Sequence, residues 1–218
     1  MTTIEKGCEQ CGKCCKEGGP ALHNADLHLL RNRKIPIGKL ITIRKGELVH
    51  DPLTGSVQPV PVELVKIAGV GRQWDCCYYD GSKGCTIYEH RPQACRVLKC
   101  WDNEEILALV AKDTLSRMDI LPEDHFLLPM IREHGSLCPC DDLQQLHTAG
   151  QDISEKTKKE LEKRADEEMQ FRLRAVADFQ LALCDELFYF GRPFFQLLQA
   201  LGVRVSESPT GIRLHWER

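Results

Sequence analysis

The feature that most constrains this chain is its opening segment CEQCGKCC, which places four cysteines within residues 8–15. The chain has 12 cysteines in 218 residues, and most of the others are clustered as well. A second set lies within residues 76–100, and a third is the pair in Cys138-Pro139-Cys140. Clustered thiols in a reducing compartment bind metal or take part in redox chemistry more often than they form disulfides. The chain is therefore expected to fold around a cysteine-bound centre.

The remaining composition is that of an ordinary globular protein, 42% hydrophobic and 28% charged with a net charge of -3. That is enough for one large domain or two small ones. The mild acidity provides no basic stripe for nucleic acid. No apolar run reaches the roughly 18 residues that a membrane span needs, and the first ten residues lack the apolar centre of a signal peptide. We expect a cytoplasmic protein whose partner is a protein, not a membrane or a nucleic acid.

The spacing of the first set allows two kinds of metal site. Cys8, Cys11 and Cys14 follow the pattern Cys-x2-Cys-x2-Cys, which also opens the cluster-binding segments of bacterial ferredoxins. Zinc sites use Cys-x2-Cys too, usually as two separated pairs. Cys15 directly follows Cys14, and neighbouring side chains diverge, so the two thiols suit different metals or different atoms of one cluster. The segment predicts a metal centre and leaves the metal open.

The first and second sets can be held together by one centre. A loop of about 60 residues separates them, and closing it costs on the order of 3.6 kcal/mol of chain entropy. Thiolate binding of a structural zinc ion contributes roughly 10–16 kcal/mol. Metal binding therefore exceeds the cost of bringing the two sets together, and the strands between them would fold over the centre.

The combined motif resembles the YkgJ-type cysteine-cluster family, described as a zinc- or iron-chelating domain. The family pattern is CxxCxxCC, then a cysteine before two bulky residues (Tyr78 and Tyr79 here), then CxIYxxRPxxCR. The residues that match it are Cys8, Cys11, Cys14, Cys15, Cys76, Cys85, Ile87, Tyr88, Arg91, Pro92, Cys95 and Arg96. The match covers roughly residues 7–101. The resemblance implies a metal centre but no particular reaction.

The motif and the clusters together give a set of predicted metal ligands. These are Cys8, Cys11, Cys14, Cys15, Cys76, Cys85, Cys95 and Cys100. The roles of Cys77, Cys138 and Cys140 stay open. Cys184 lies in the apolar run LALCDELF and is predicted to be a buried small hydrophobic residue.

Two arginines flank one of these predicted ligands. Arg91 and Arg96 stand on either side of Cys95. A centre with four thiolates is anionic, and guanidinium donors beside it would offset the charge and tune a reduction potential. The alternative is that both are ordinary surface arginines. We predict cofactor contacts for Arg91 and Arg96.

Three functions from different classes agree with these observations. The first is an iron–sulfur protein in redox chemistry or electron transfer, with a 4Fe–4S cluster favoured by the ferredoxin-like opening and the surplus of thiols. The second is a zinc protein whose metal is structural and whose helical half binds a partner. The third is an enzyme that modifies a partner at the metal centre. The common catalytic motifs G-x-S-x-G, P-loop and HExxH are missing, so catalytic residues are unknown.

The hydrophobic pattern predicts an α+β fold. Residues 1–101 form a cysteine-rich, metal-bound region with short strands, and residues 102–218 form a mainly helical region packed on it as one structural unit. Within the first half, a metal-wrapped loop spans residues 1–19, a short helix lies in 22–33, and ITIRKGELVHDPLTGSVQPV alternates as strands with hairpins. Helices are predicted over 103–118, from Pro122 to Gly135, over DDLQQLH and over 154–190, followed by a C-terminal hairpin around SPTG.

Overall fold

The computed structural model describes residues 8–208 and 211–216, and it has the predicted α+β class. Short antiparallel strands dominate the N-terminal half, and helices dominate the C-terminal half. The beginning of the predicted loop at 1–19, residues 1–7, and the tip of the predicted hairpin, residues 209–210, lie outside the described residues. The division at residue 101 stays a prediction.

The strands of the described chain pair in twos, always antiparallel. They are β1 (Leu40–Ile43), β2 (Leu48–Asp51), β3 (Ser56–Pro59), β4 (Leu64–Ile67), β5 (Gly69–Val70), β6 (Asp75–Cys76), β7 (Tyr79–Asp80), β8 (Gly84–Cys85), β9 (Val203–Ser208) and β10 (Gly211–Trp216). The pairs are β1–β4, β2–β3, β5–β6, β7–β8 and β9–β10. The hairpins of the alternating region and of the C-terminus are confirmed, except that β1 pairs with β4 instead of β2. Every residue of β1 is buried, so this strand needs a partner inside the core.

The helices are mostly short. They are α1 (Lys13–Lys16), α2 (Leu27–Arg31), α3 (Gln93–Val97), α4 (Glu104–Ala108), α5 (Arg117–Ile120), α6 (Leu128–Leu137), α7 (Leu143–Ala149), α8 (Glu155–Phe179), α9 (Glu186–Phe190) and α10 (Phe194–Leu197). Single 3-10 turns lie at Asn24–Asp26, Ile37–Lys39, Tyr88–His90, Gly150–Asp152 and Leu198–Leu201. No helix in the described ranges combines the length and apolarity that a membrane crossing requires.

The predicted helix over 103–118 is too long. Asn103 does precede α4, but the helix ends at Ala108. Beyond it, Ala111 and Asp113 have the positive φ angles of left-handed backbone, 56° and 49°. Leu115 is not helical and pairs with another segment: its N–H donates to the carbonyl of Leu22 at 2.9 Å. Tertiary pairing thus overrides the helical pattern. The next predicted helix also begins later than Pro122, at Leu128.

The long helix α8 begins as predicted and ends early. Ser154 precedes it and accepts a hydrogen bond from the N–H of Thr157 at 3.1 Å, which is an N-cap. Gln180 takes a left-handed conformation and stops the helix. Cys184 therefore lies in the turn before α9, exposed, with its Sγ donating to Asp185 at 3.4 Å. The prediction of a buried Cys184 is wrong, because the apolar run around it belongs to a turn instead of a helix.

The main hydrophobic core combines residues of both halves. Leu22, Leu40 and Ile67 from the N-terminal half pack in one cluster with Phe171 and Phe188 from α8 and α9. Cys76 belongs to this cluster, and Cys15 and Cys77 pack against it. The cysteine-bearing segments are thus attached to the same core that the long helix covers.

Candidate metal centre

The first cysteine set is presented by a one-turn helix. Gly12 precedes α1 with a backbone φ of 76°, which turns the chain so that Cys14 and Cys15 follow in the helix. A side chain at Gly12 would collide with the ring of Tyr79, which lies within the second set. Only glycine allows both this conformation and the close approach. The contact brings the CEQCGKCC loop onto the β7–β8 hairpin.

The second cysteine set is presented by three different elements. Cys76 ends β6 and is buried, Cys85 ends β8 and is half-buried, and Cys95 lies within α3 and is half-buried. Pro92 precedes α3 and fixes its start, as expected for the Arg-Pro-x-x-Cys segment. All described cysteines are free thiols. Two strands and a helix therefore present the thiols of the second set.

The two sets meet. The pKa of Cys95 is raised by burial and by the negative charges of Cys76, Cys14, Cys15 and Cys85. Burial and neighbouring Cys14, with smaller effects of Cys76 and Cys85, raise the pKa of Cys15 to about 12. Electrostatic repulsion from thiols of the other set thus disfavours the ionisation of both Cys95 and Cys15. A cation placed among them would remove this repulsion, since metal binding deprotonates a coordinating thiol.

The thiols of Cys14, Cys15, Cys76, Cys85 and Cys95 are too far apart to form a coordination sphere. Within residues 8–208 and 211–216, no group of three or more His, Cys, Asp or Glu side chains is arranged closely enough to hold a metal ion. The donor chemistry nevertheless fits the metals implied by the motif, because zinc and iron–sulfur clusters both accept all-thiolate ligation. Cys14, Cys15, Cys76, Cys85 and Cys95 are the residues that could hold such a group.

The other predicted ligands lie at the surface. Cys8 and Cys11 are exposed in the loop before α1, and Cys100 is exposed in a turn after α3. Their thiols make no hydrogen bond to any part of the chain that the structure describes. Their roles as ligands stay predictions.

The arginines beside Cys95 contact protein groups. Arg96 donates from Nη1 to the carbonyl oxygen of Arg91 at 2.8 Å, and its Nη2 lies 3.8 Å from Oδ1 of buried Asp26. The guanidinium of Arg91 stacks on the ring of Tyr88 at 3.5 Å. Neither arginine donates to a thiol within the described ranges. The contacts show a role in fixing α3, and cofactor contacts remain a prediction.

The third cysteine set lies in a different part of the core. Cys138 and Cys140 pack with Leu48 and Phe194 in a second hydrophobic cluster. Burial raises the pKa of both thiols to about 12 even though the Arg44 guanidinium is close to each. The pair is thus held protonated, away from the cluster that contains Cys76.

A buried network of charged groups surrounds this third set, and the sequence did not indicate it. Arg44 donates to the carbonyl of Cys138 at 2.7 Å and lies 3.3 Å from Glu47. Glu47, fully buried, also accepts from Arg192 at 2.9 Å. No short motif links these residues, since they come from the β1–β2 turn and from the segment after α9. Only the pairing of charges across the fold reveals them.

A large cavity borders the candidate centre. Its volume is about 1040 Å³, and its wall includes Cys14, Cys15, Cys76 and Cys95. Lys66, on β4, also faces it and was missed by the sequence analysis. The alternation of β4, with Val65 and Ile67 buried, was the signal that Lys66 points away from the core. Four predicted ligands are therefore accessible from one open cavity.

The cysteine-rich region matches one known family model. The family model "CxxCxxCC: Putative zinc- or iron-chelating domain" matches residues 7–112. Residues 7–112 are therefore similar to the CxxCxxCC family. No curated protein and no solved structure showed significant similarity to the chain.

The family boundaries agree with the structure of the site. The CxxCxxCC region contains both cysteine sets that meet, and it excludes Cys138, Cys140 and Cys184. The resemblance found from the motif is confirmed, and metal binding by this region is supported. The family description covers zinc and iron equally.

Proposed function

We propose that the cysteine centre is an iron–sulfur cluster, a 4Fe–4S cluster in the favoured form, and that the protein acts in redox chemistry or electron transfer. The main support is the approach of two distant segments: Cys14, Cys76 and Cys85 are close enough for their charges to raise the pKa of Cys15 and Cys95. A tetrathiolate zinc site uses four ligands, usually as two separated pairs. The surplus of thiols and the ferredoxin-like opening favour iron.

The chain's own residues would perform three tasks in this function. The thiolates of α1, β6, β8 and α3 bind the cluster, and the cluster supplies one-electron transfer when bound. Tyr79 and Gly12 keep the CEQCGKCC loop against the second set. Exposed residues of that loop leave the centre near the surface, which suits electron exchange with a protein partner. A cytoplasmic location belongs to the same proposal, because reduced thiols persist there.

A second candidate function is an enzyme that acts at the centre. The cavity of about 1040 Å³ beside Cys14, Cys15, Cys76 and Cys95 favours it, because a pure electron carrier needs no cavity for a substrate. A structural zinc site is the remaining alternative, since zinc accepts the same ligands.

The identity of the metal is tested by anaerobic purification followed by analysis of iron, acid-labile sulfide and zinc per chain. We expect a brown protein with iron and sulfide in equal amounts and a broad absorption band in the blue. The Cys184→Ser variant is the control and should give the same values, because Cys184 is exposed and lies outside the family match. A colourless protein that contains zinc and no sulfide would show that the iron–sulfur proposal is wrong.

A further inference from the structure

One residue of the cavity wall has an unfavourable backbone conformation. Trp74, in the turn between β5 and β6, has a φ of 60°, which lies in the left-handed region that bulky side chains rarely adopt. Glycine or asparagine at this position would form the same turn at a lower cost. Strained residues of this kind cluster at binding and active sites. A tryptophan held in this conformation therefore indicates a use for its side chain.

The packing around Trp74 fixes its ring in place. A Cβ atom at Gly69 would lie 2.5 Å from Cγ of the indole and 2.4 Å from the carbonyl oxygen of Trp74, so only glycine leaves room there. A Cβ atom at Gly18 would be 3.9 Å from the indole Cδ1, an ordinary contact distance. The backbone of Gly69 therefore supports the indole at its inner edge, close to the first cysteine set.

The indole that is supported in this way is open to the cavity. Trp74 keeps 37% of its surface exposed. It lines the cavity of about 1040 Å³ together with Cys76, Leu98, Ile106 and Val110. Among the residues that the structure describes, no other ring and no cation stacks on the indole. A planar ring placed against it would gain from stacking in addition to burial.

The buried charges of the cavity wall already have partners. Lys66 has Cys76 as its electrostatic neighbour, and the charge of each favours the charged form of the other. Arg192 is held by Glu47 at 2.9 Å. Asp51 accepts hydrogen bonds within its own turn, from a backbone N–H at 2.9 Å and from a hydroxyl at 3.1 Å. A charged ligand would therefore have to compete with these partners.

The other polar groups of the wall are hydrated or uncharged. Glu17 and His50 are exposed, and the buried His23 has its Nδ1 2.9 Å from a backbone carbonyl. The side-chain amides of Gln196 and Gln199 line the same wall and have no hydrogen bond within residues 8–208 and 211–216. Amides both donate and accept, so they suit an uncharged polar group. The wall thus favours a ligand without net charge.

We infer that this cavity binds an uncharged molecule with a planar aromatic ring, and that the ring stacks on the indole of Trp74. The turn between β5 and β6 presents the indole, Gly69 fixes it, and the amides of Gln196 and Gln199 offer hydrogen bonds to a polar group of the ligand. The inference goes beyond the proposed function and does not depend on which metal is bound, because none of these contacts involves the metal.

The first experiment measures binding to the metal-loaded protein by isothermal titration calorimetry with three ligands. Benzamide and cyclohexanecarboxamide have the same amide and ring size, but only benzamide is planar; benzoate is planar and charged. Benzamide is expected to bind at least about threefold more tightly than cyclohexanecarboxamide, because only its ring stacks on an indole. Benzoate is expected to bind more weakly than benzamide. Equal binding of the two amides, benzoate binding as tight as that of benzamide, or no benzamide binding up to about 10 mM would overturn the inference.

The second experiment compares variants of the ring. Trp74→Leu keeps an apolar side chain and removes the aromatic face, so the preference for benzamide over cyclohexanecarboxamide should disappear. Trp74→Tyr keeps an aromatic face and should retain the preference. Phe126→Leu is the control, because Phe126 is an exposed aromatic residue outside the cavity wall. Circular dichroism establishes that each variant is folded before titration.

The same variants separate ligand binding from shielding of the metal centre. Metal content and absorption spectrum are recorded for each. If Trp74→Leu changes the spectrum and keeps the preference for benzamide, the indole only shields the centre from water and the inference is wrong. If the preference is lost in Trp74→Leu while metal content stays intact, the stacking site is supported whichever metal is bound.

Discussion

At the scale of residues, Asp26 holds the start of α3, the helix that carries Cys95 and Arg96. Its Oδ1 accepts from the N–H of Gln93 at 2.7 Å, at the start of α3, and its Oδ2 accepts from the N–H of His23 at 3.0 Å. Arg96 lies 3.8 Å away on the same side. A buried carboxylate thus fixes the helix that carries a predicted ligand.

We predict that Asp26→Ala lowers the free energy of unfolding by about 2 kcal/mol, because one buried and one half-buried N–H group lose their acceptor. Urea denaturation followed by circular dichroism measures this change. Asp124→Ala is the matched control, since Asp124 is exposed, and it should remain within about 0.5 kcal/mol of the native chain. Equal stability of the two variants would show that Asp26 does not anchor α3.

His134 gives the fold a dependence on pH. It is buried, its Nε2 lies 2.9 Å from Glu168, and Arg44 and Arg172 are the nearby cations. Burial lowers the pKa of His134 from 6.5 to about 4. The unfolded chain therefore takes up this proton at a higher pH than the folded one. The stability that the neutral ring contributes is complete above pH 6.5 and is lost as the pH falls toward 4.

We predict that the free energy of unfolding decreases across that interval, by at most about 1.4 kcal/mol per pH unit from His134. Denaturant titrations at several pH values measure the slope. His134→Gln should have a shallower slope, while the exposed His28→Gln variant should keep the native one. An identical slope in both variants would exclude His134 as its source.

At the scale of elements, the contact between α1 and the β7–β8 hairpin determines whether the two cysteine sets meet. Gly12 precedes α1 with a φ of 76°, and the ring of Tyr79 occupies the space that its side chain would fill. Gly55, in the β2–β3 hairpin, has a similar φ of 66° but open space around it. Comparing alanine variants at the two glycines therefore distinguishes the effect of backbone strain from the effect of losing the contact with Tyr79.

We predict that Gly12→Ala lowers both stability and metal content, because α1 must move away from Tyr79. Gly55→Ala should cost only the strain of its backbone, about 1 kcal/mol, and keep the metal. Metal analysis and urea denaturation of the two variants give the comparison. Full metal content in Gly12→Ala would mean that this contact is not needed for the centre.

The elements also show why sequence patterns were sufficient in some places and insufficient in others. The β2–β3 hairpin and the start of α8 follow local signals, the turn at DPLTG and the cap at Ser154, so they were predicted. The end of α4 and the pairing of β1 with β4 depend on contacts between distant residues. Local periodicity contains no information about such partners.

At the scale of the whole molecule, the cysteine motif predicted that thiols of both sets lie near one another, but it did not predict their surroundings. The meeting of Cys14 and Cys15 with Cys76, Cys85 and Cys95 was expected from spacing and resemblance. The cavity, Lys66 and the buried network of Arg44 were not, because each is assembled from segments that share no motif. The central claim is accordingly that both cysteine sets bind one centre.

Metal content per chain in variants from each set tests this claim most directly. Cys15→Ser removes one thiol of the first set, Cys95→Ser removes one of the second, and Cys184→Ser removes an exposed thiol outside both. Metal and sulfide are measured on folded, anaerobically purified protein. We predict that Cys15→Ser and Cys95→Ser both lose metal or change the absorption spectrum, while Cys184→Ser matches the native protein. Full metal and an unchanged spectrum in either of the first two variants would contradict a shared centre.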